Sequence, residues 1–335
     1  MMTTEKNKDA ELIDYFGRRI SYVRVSVTEN CNLRCRYCYE SACGTLKRPF
    51  YLTNDRLITV IKALAAVGVD KIRFTGGEPT IRKGIIDLIR ETSKIENILQ
   101  VGITTNGLLL KKLLPEFIDA GLNRLNISLD TLKKWKFRQI TGSNRFKQVY
   151  DGIMEAVKYD VFQPVKVNTV VMKGINDDEI PRFAEWALTN GIDLRFIEFM
   201  PIRKSRWGKE RFLPENEMKA RLNMPLERAL NFDKSSGPAS SYILKGYPGR
   251  ISFISPVSGN FCGECNRIRL TSSGNLIGCL FSNYKINMSN FLQSNPDQCE
   301  IIKFLKGIVA NPEFRRFSHL QSVSNSLPLM RSVGG

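Results

Sequence analysis

Ile20-Ser21-Tyr22-Val23-Arg24-Val25-Ser26-Val27 is followed after three residues by Cys31-Asn32-Leu33-Arg34-Cys35-Arg36-Tyr37-Cys38, and the architecture of the chain can be read outward from this pair of segments. A strand sends successive side chains to opposite faces, so Val23, Val25 and Val27 share one face while Tyr22, Arg24 and Ser26 share the other. The three thiols then fall in a loop at the mouth of that strand, spaced CxxxCxxC. Three cysteines cannot all pair with one another, and they are one short of the four thiolates that close a structural zinc or a fully ligated iron-sulfur cluster. Two readings stand at this point: a cubane with one iron open, or a zinc knuckle completed by Cys43 or His319.

The same alternation recurs along the next 180 or so residues. Further strands are expected at Lys71–Thr75, Gln100–Thr104, Arg124–Leu129, Val165–Val171 and Leu194–Phe199. Helices fit 54–67, 84–94, 108–120, 145–158 and 178–190, the first capped by Thr53 or Asn54 and stopped at Gly68. One strand face is repeatedly polar or cationic: Lys71, Arg73 and Thr75, then Gly102 and Thr104, Asn126 and Ser128, Lys166 and Asn168. An open sheet covered by helices on both sides reads as continuous apolar runs, and a closed eight-stranded barrel fills its interior with branched side chains. The pattern therefore predicts an α/β fold: an incomplete six-stranded (βα)6 TIM-like partial barrel, its mouth closed by a smaller C-terminal α+β domain. The βα rhythm stops near residue 200, which predicts domains of 1–205 and 206–335. In the second, the pattern gives a short helix at Glu215–Met224, strands at Ser241–Leu244 and Arg250–Ile254, and helix through most of 287–310.

The formal charge of +17 predicts affinity for anions without choosing among them. The basic run Arg203–Arg211 and the pair Arg315-Arg316 read as solvated loop charge, with little of the aromatic interleaving that single-strand binders use. Eight cysteines in a chain this long, without a secretory leader, argue for metal ligation over a disulfide framework. No apolar run reaches the roughly 18 residues of a membrane span. A cytoplasmic location is expected, or a mitochondrial matrix one after removal of a transit segment.

In barrel-type folds, chemistry gathers in the loops after the strands' C-terminal ends. Here those loops carry the three cysteines, Gly76-Gly77-Glu78-Pro79, Thr104-Thr105-Asn106-Gly107, Ser128-Leu129-Asp130 and Met200-Pro201. Each alone reads as ordinary turn or cap chemistry; five at one rim beside three thiols do not. Glycines at 76 and 77 permit close backbone approach to a ligand, and the Glu78 carboxylate or nearby carbonyls could hold an ammonium. A second group, Cys262-Gly-Glu-Cys265-Asn-Arg267-Ile268-Arg269 with Cys279, again offers three thiols without an obvious fourth, where a structural zinc ribbon is the alternative. Arg24, Lys71, Arg73 and Lys166, with Arg267 and Arg269, would repel one another unless an anion neutralised them; six such cations suit a polyphosphate better than pairing with an interior carboxylate such as Glu198.

The CxxxCxxC loop with Tyr37 before its last cysteine resembles the signature of the radical S-adenosylmethionine superfamily. That resemblance implies a 4Fe-4S cluster on Cys31, Cys35 and Cys38, with S-adenosylmethionine contacted by Tyr37, Gly77, Ser128 and Met200. The motifs Phe16-Gly-Arg18, Lys71-Ile-Arg-Phe-Thr-Gly-Gly-Glu-Pro79, Ile103-Thr-Thr-Asn-Gly107, Asn126-Ile-Ser-Leu-Asp130, Val165-Lys-Val-Asn168, Gly174-Ile-Asn-Asp-Asp178 and Arg195-Phe-Ile-Glu-Phe-Met-Pro201, with the final Gly334-Gly335, narrow the resemblance further. They are similar to the family of molybdenum cofactor biosynthesis protein A, the GTP 3′,8-cyclases, along nearly the whole chain. That family implies a lyase acting on GTP and a second 4Fe-4S cluster on Cys262, Cys265 and Cys279. It implies GTP contacts from Arg24, Lys71, Arg73, Thr104, Lys166, Arg267, Ile268 and Arg269, and a catalytic tail of Gly334 and Gly335. It also implies an electron donor of flavodoxin type, a cyclic pyranopterin monophosphate synthase that takes the product, a homodimer, and no membrane or nucleic-acid partner. The stretch Tyr39–Cys43 and residues 311–329 depart from the family pattern. Two rivals remain: a peptide-modifying radical S-adenosylmethionine enzyme, which usually carries more extra cysteines, and a metal-binding nucleic-acid module, which has no use for two incompletely ligated clusters.

Overall fold

The computed structural model describes residues 11–38, 51–200, 207–229, 239–259, 262–282 and 284–315; Cys43, His319, Gly334 and Gly335 lie outside them, as does the side chain of Cys262. The chain first lays down β1 (Tyr22–Ser26), α1 (Asn54–Ala66), β2 (Lys71–Thr75), α2 (Ile85–Ser93), β3 (Gln100–Thr105), α3 (Leu110–Asp119) and β4 (Arg124–Ser128). It continues through α4 (Lys134–Thr141), α5 (Phe146–Ala156), β5 (Lys166–Val171), α6 (Ile180–Thr189) and β6 (Asp193–Glu198). Then come α7 (Glu215–Ala220), β7 (Glu227–Arg228), β8 (Ser240–Ile243), β9 (Arg250–Ile254), β10 (Arg267–Leu270), β11 (Asn275–Ile277), β12 (Lys285–Asn287), α8 (Ser289–Gln293) and α9 (Gln298–Val309).

Each element follows from local chemistry. Thr53 caps α1 by accepting from the Arg56 N–H, Leu57, Val60, Ile61 and Leu64 line its buried face, and Gly68 leaves it at a φ of 87° that a side chain would resist. Asp297 and Glu300 form a reciprocal capping box at the start of α9. The helical stretch expected over 287–310 is broken between α8 and α9, where Asn295 takes a φ of 52° and Pro296 follows. The expected helix at Glu215–Met224 is shorter, ending at Ala220. Helix α4 was not expected at all, since Lys134-Trp-Lys-Phe-Arg-Gln-Ile-Thr141 shows too little apolar stripe to announce itself.

All strands among the described residues belong to one twelve-stranded sheet ordered β12-β11-β10-β1-β2-β3-β4-β5-β6-β9-β8-β7. β1 to β6 pair in sequence and in parallel, as expected, and the sheet is not closed. The C-terminal strands extend this sheet at both ends: β10 joins β1 and β9 joins β6, each in parallel. Helices cover the face that carries Val23, Val25, Ile72, Phe74, Ile103, Ile127, Val167 and Leu194, all within 1% of full burial. Phe183 of α6 meets Phe196 of β6 edge-on, and Phe196 in turn packs against Phe253 of β9, so the apolar layer runs on into the C-terminal strands.

Candidate active site

The strand register gathers the polar face into rungs. One runs Arg267, Tyr22, Lys71, Gln100; the next Arg269, Arg24, Arg73, Gly102, Arg124. Beyond them lie Thr104, Asn126, Lys166, Asp193 and Arg250, then Ser128, Asn168, Arg195 and Ser252. Arg73 is held from three sides, donating to Tyr22 Oη at 2.6 Å, Asn126 Oδ1 at 2.7 Å and the Ile103 carbonyl at 3.4 Å. Gly102 is what admits it, because a Cβ there would come within 3.1 Å of the Arg73 guanidinium carbon. The Ile268 side chain points the other way into the apolar core, so only its backbone is available to this face.

The rungs are electrostatically crowded. Burial pushes Arg24 down to about 10, with Arg73 and Arg267 adding to it against an opposing contribution from Tyr22. Arg269 falls to about 9 by burial and by Arg24 and Arg267. Lys166 falls to about 7, again first through burial and then through Arg195, Arg73 and Arg124 against Asp193. Burial would raise the Tyr22 phenol, but Arg73, Arg24 and Arg267 bring it to about 8. The carboxylate that answers some of this charge is Asp193, 3.1 Å from Arg195 and bonded by the Ser252 hydroxyl at 2.8 Å. Glu198 lies on the opposite face of β6 and accepts from the N–H groups of Glu215, Val257 and Ser258, so the alternative of pairing these cations with Glu198 is removed by strand alternation. Buried Oγ of Ser26, Oγ1 of Thr104 and Oδ1 of Asn168 have no hydrogen-bond partner among the described residues. These are places for a polar ligand.

The cysteine loop sits at the C-terminal end of β1. Arg34 and Arg36 donate their N–H groups to the carbonyls of Thr141 and Ile140 at the end of α4, and the Cys38 N–H closes a turn onto the Cys35 carbonyl. Tyr37 Oη donates to Asp130 Oδ2 at 2.7 Å, while Asp130 Oδ1 accepts from the Val170 N–H. Burial lifts Asp130 to about 6, against the hydrogen bonds from Tyr37 and Val170, and lifts Tyr37 well above its ordinary range. The second loop clasps the first: Gly77 and Glu78 donate to the carbonyls of Thr28 and Asn30, both at 2.7 Å. The glycines at 76 and 77 serve this clasp. Gly76 has a φ of 152°, and a Cβ at Gly77 would lie 2.2 Å from the Asn30 carbonyl oxygen. Gly77→Ala is accordingly expected to cost about 1–3 kcal/mol by overpacking, read as an earlier urea midpoint and reduced iron retention. The Glu78 carboxylate, expected to face a ligand ammonium, is instead spent on the Thr80 N–H and hydroxyl, the Thr105 hydroxyl and the Asn106 N–H. It ties the second and third loops together, leaving carbonyls for an ammonium.

Cys31, Cys35 and Cys38 lie near enough for their charges to interact; burial first, then Asp130, Cys38 and Cys31, push the Cys35 thiol well above its ordinary value. Asn106 Nδ2 reaches Cys31 Sγ at 3.8 Å and Asn32 Oδ1 at 2.7 Å. Among the described residues no three Cys, His, Asp or Glu side chains converge on one metal ion. A cubane makes no such demand, because each thiolate binds a different iron, and three soft donors with one position left over suit it. Cys265 and Cys279 likewise interact with each other. Burial would raise Cys265, but Arg267 and Arg315 lower it. Arg315, expected in solvated loop charge, is 3% exposed and pairs with Asp14 at 3.3 Å. Sequence gave no warning of this, since a basic pair near a chain end carries no burial pattern. Met200 is half-buried just beyond β6, and Ser128 ends β4.

Residues 25–187 match the radical SAM superfamily, and residues 192–317 match the family described as Molybdenum Cofactor Synthesis C. A GTP 3′,8-cyclase of Thermodesulfovibrio yellowstonii is 43% identical over 96% of this chain and 99% of its own. The chain belongs to the GTP 3′,8-cyclase family of radical SAM enzymes. Molybdenum cofactor biosynthesis protein 1 of Homo sapiens is 39% identical over 94% of this chain and half of its own length. Streptococcus suis SuiB, solved with S-adenosylmethionine, shares the fold of this family member with a TM-score of 0.64 at 15% identity, covering 94% of this chain and 72% of that one. No helix among the described residues is long and apolar enough to cross a membrane.

Proposed function

We infer that the protein is a GTP 3′,8-cyclase: a deoxyadenosyl radical removes the 3′ hydrogen of GTP, the carbon radical attacks guanine C8, and the resulting nucleobase radical takes up one electron from the reductant and one proton to give 3′,8-cyclo-7,8-dihydro-GTP. A 4Fe-4S cluster, when bound, supplies the electron that cleaves S-adenosylmethionine. The observation that carries the substrate is the cationic rungs, where Arg24, Arg73, Lys166, Arg267 and Arg269 share one face with one carboxylate among the described rung residues, Asp193. Charges crowded this way need an anion, and a triphosphate is long enough to touch several rungs.

On this reading Cys31, Cys35 and Cys38 hold the first cluster. Tyr37, Gly77, Ser128 and Met200 surround the S-adenosylmethionine, with Thr104 and Asn168 offering it or GTP a hydrogen bond. Cys262, Cys265 and Cys279 hold a second 4Fe-4S cluster, whose position beside β10 sets it at the edge of the GTP site. Lys71, Arg250 and the backbone of Ile268 complete the rim, and Gly334 and Gly335 form the catalytic tail. We take residues 1–205 as the barrel domain and 206–335 as the second, and expect a flavodoxin-type electron donor, a homodimer, and a cyclic pyranopterin monophosphate synthase downstream.

The deciding experiment supplies GTP deuterated at C3′, S-adenosylmethionine and a reductant. The expected result is 5′-deoxyadenosine carrying the deuterium; unlabelled 5′-deoxyadenosine would exclude the cyclase reading while keeping the superfamily chemistry.

A further inference from the structure

Arg315 is the most deeply buried cation near the second cysteine group, and nothing in the reaction as described uses it. Its guanidinium threads between the two segments that bear Cys265 and Cys279. On one side Nη2 donates to the Cys265 carbonyl. On the other, its Cγ lies 2.6 Å from where a Cβ on Gly278 would stand, so the glycine next to Cys279 is what lets the side chain pass. Phe314 crowds the same glycine, its carbonyl oxygen 2.1 Å from that position.

The contacts around it leave one of its donors unused among the described residues. Asp14 is fully buried and is shared: Oδ2 accepts from Arg18 Nε at 2.7 Å and lies 3.3 Å from Arg315 Nε. Oδ1 of the same carboxylate is occupied by the N–H groups of Phe16 and Arg18 at 3.0 and 2.8 Å. Arg18 also donates to the Arg315 carbonyl at 3.1 Å, so the two arginines and the carboxylate form one buried knot. Two guanidinium groups thus share this one carboxylate, and Arg315 Nη1 is buried with no hydrogen-bond partner among the described residues. The charges facing this guanidinium are Asp14, Arg18 and the two thiols Cys265 and Cys279. A buried guanidinium with an unused donor calls for an acceptor, best an anionic one, and a sulfur-ligated cluster is one.

We propose that Arg315 is a positioning residue for the second cluster: anchored by Asp14, it donates a hydrogen bond from Nη1 to the sulfur-bound group held by Cys265 and Cys279 and raises its reduction potential. Hydrogen bonds to sulfur and local charge are among the main levers on such potentials, because they stabilise the more negative reduced state. The proposal rests on the assignment of Cys262, Cys265 and Cys279 to a cluster.

The test isolates that cluster in the full-length chain by replacing Cys31, Cys35 and Cys38 with alanine, and titrates it with a graded reductant while following its electron paramagnetic resonance. The expected result is that Arg315→Met lowers the potential by at least a tenfold shift in the one-electron equilibrium, about 59 mV, whereas Arg315→Lys, which keeps the charge and gives up the fork, lowers it less. Should Arg315→Met fail to take up iron, Arg315→Lys carries the test alone and is expected below the parent. A potential unchanged in whichever variant retains iron overturns the role of Arg315. A triple-alanine parent that binds no iron overturns the second cluster itself, a separate failure.

Discussion

Cys35→Ala is expected to remove about four of about eight irons after anaerobic reconstitution and to abolish reductive cleavage of S-adenosylmethionine. On the proposed assignment the loop offers three thiols to a cluster whose fourth iron is left for the cofactor, so losing one would leave too few anchors to hold it. Cys35 lies at the centre of the group, its charge interacting with both Cys31 and Cys38, and the Cys38 N–H turns back onto its carbonyl. The fold itself should persist, because Cys35 only packs against the margin of the apolar core. Circular dichroism, iron content and 5′-deoxyadenosine together make the measurement. Cys299→Ala, at an exposed position on α9, should match the parent in all three. Cys265→Ala should keep about four irons and the cleavage of S-adenosylmethionine, yet lose cyclised product. Full iron content with undiminished 5′-deoxyadenosine in Cys35→Ala would refute the assignment.

Lys166 is expected to make GTP affinity and stability depend on pH with opposite signs. Its ammonium is pushed down to about 7 in the folded protein from an ordinary value of 10.5. Between those two values the unfolded chain binds more protons than the folded one, so stability rises with pH across that window and is lowered below it. A bound triphosphate reverses the preference by favouring the charged ammonium. Above pH 7 binding therefore takes up a proton, and affinity falls by up to about tenfold per pH unit. Calorimetry at pH 8 in two buffers of different ionisation heat reads that proton directly. Lys166→Met should diminish the buffer dependence to the share that the Tyr22 phenol, at about 8, contributes, and weaken binding at pH 6 by roughly tenfold to a hundredfold, the loss of a charged hydrogen bond. Equal heats in both buffers for the parent protein would refute the coupling.

The parts of this architecture that were legible from sequence are those governed by period and by loop position. Alternation in Tyr22-Val-Arg-Val-Ser26 placed Arg24 on the inner face, and the register beside Arg269 and Arg73 agrees. The five parallel pairings from β1 to β6 followed from the βα rhythm. What escaped depends on contacts between distant segments. Helix α4 has no strong apolar stripe and is stabilised through Lys136, which reaches Asp178 at 2.5 Å and Glu179 at 3.0 Å, yet its last carbonyls hold the cysteine loop. Asp193 lay just outside a strand expected to begin at Leu194, so its pairing with Arg195, two residues along the same face of β6, was not anticipated. Glu78 belonged to a recognised motif, but only the fold shows that three loop groups consume its carboxylate. Arg315 lay in a stretch with no period at all.

The attachment of β9 and β10 to opposite ends of the parallel sheet bears on how the chain is made. A ribosome that has released residues up to β6 has produced six paired strands with two bare edges, at β1 and β6. Bare edges recruit other chains. The second edge is sealed when Arg250–Ile254 arrives, the first only with Arg267–Leu270. Until then the nascent barrel is exposed to edge-to-edge association, and early termination anywhere between the two would leave a protein without α8 and α9 and with the β1 edge open.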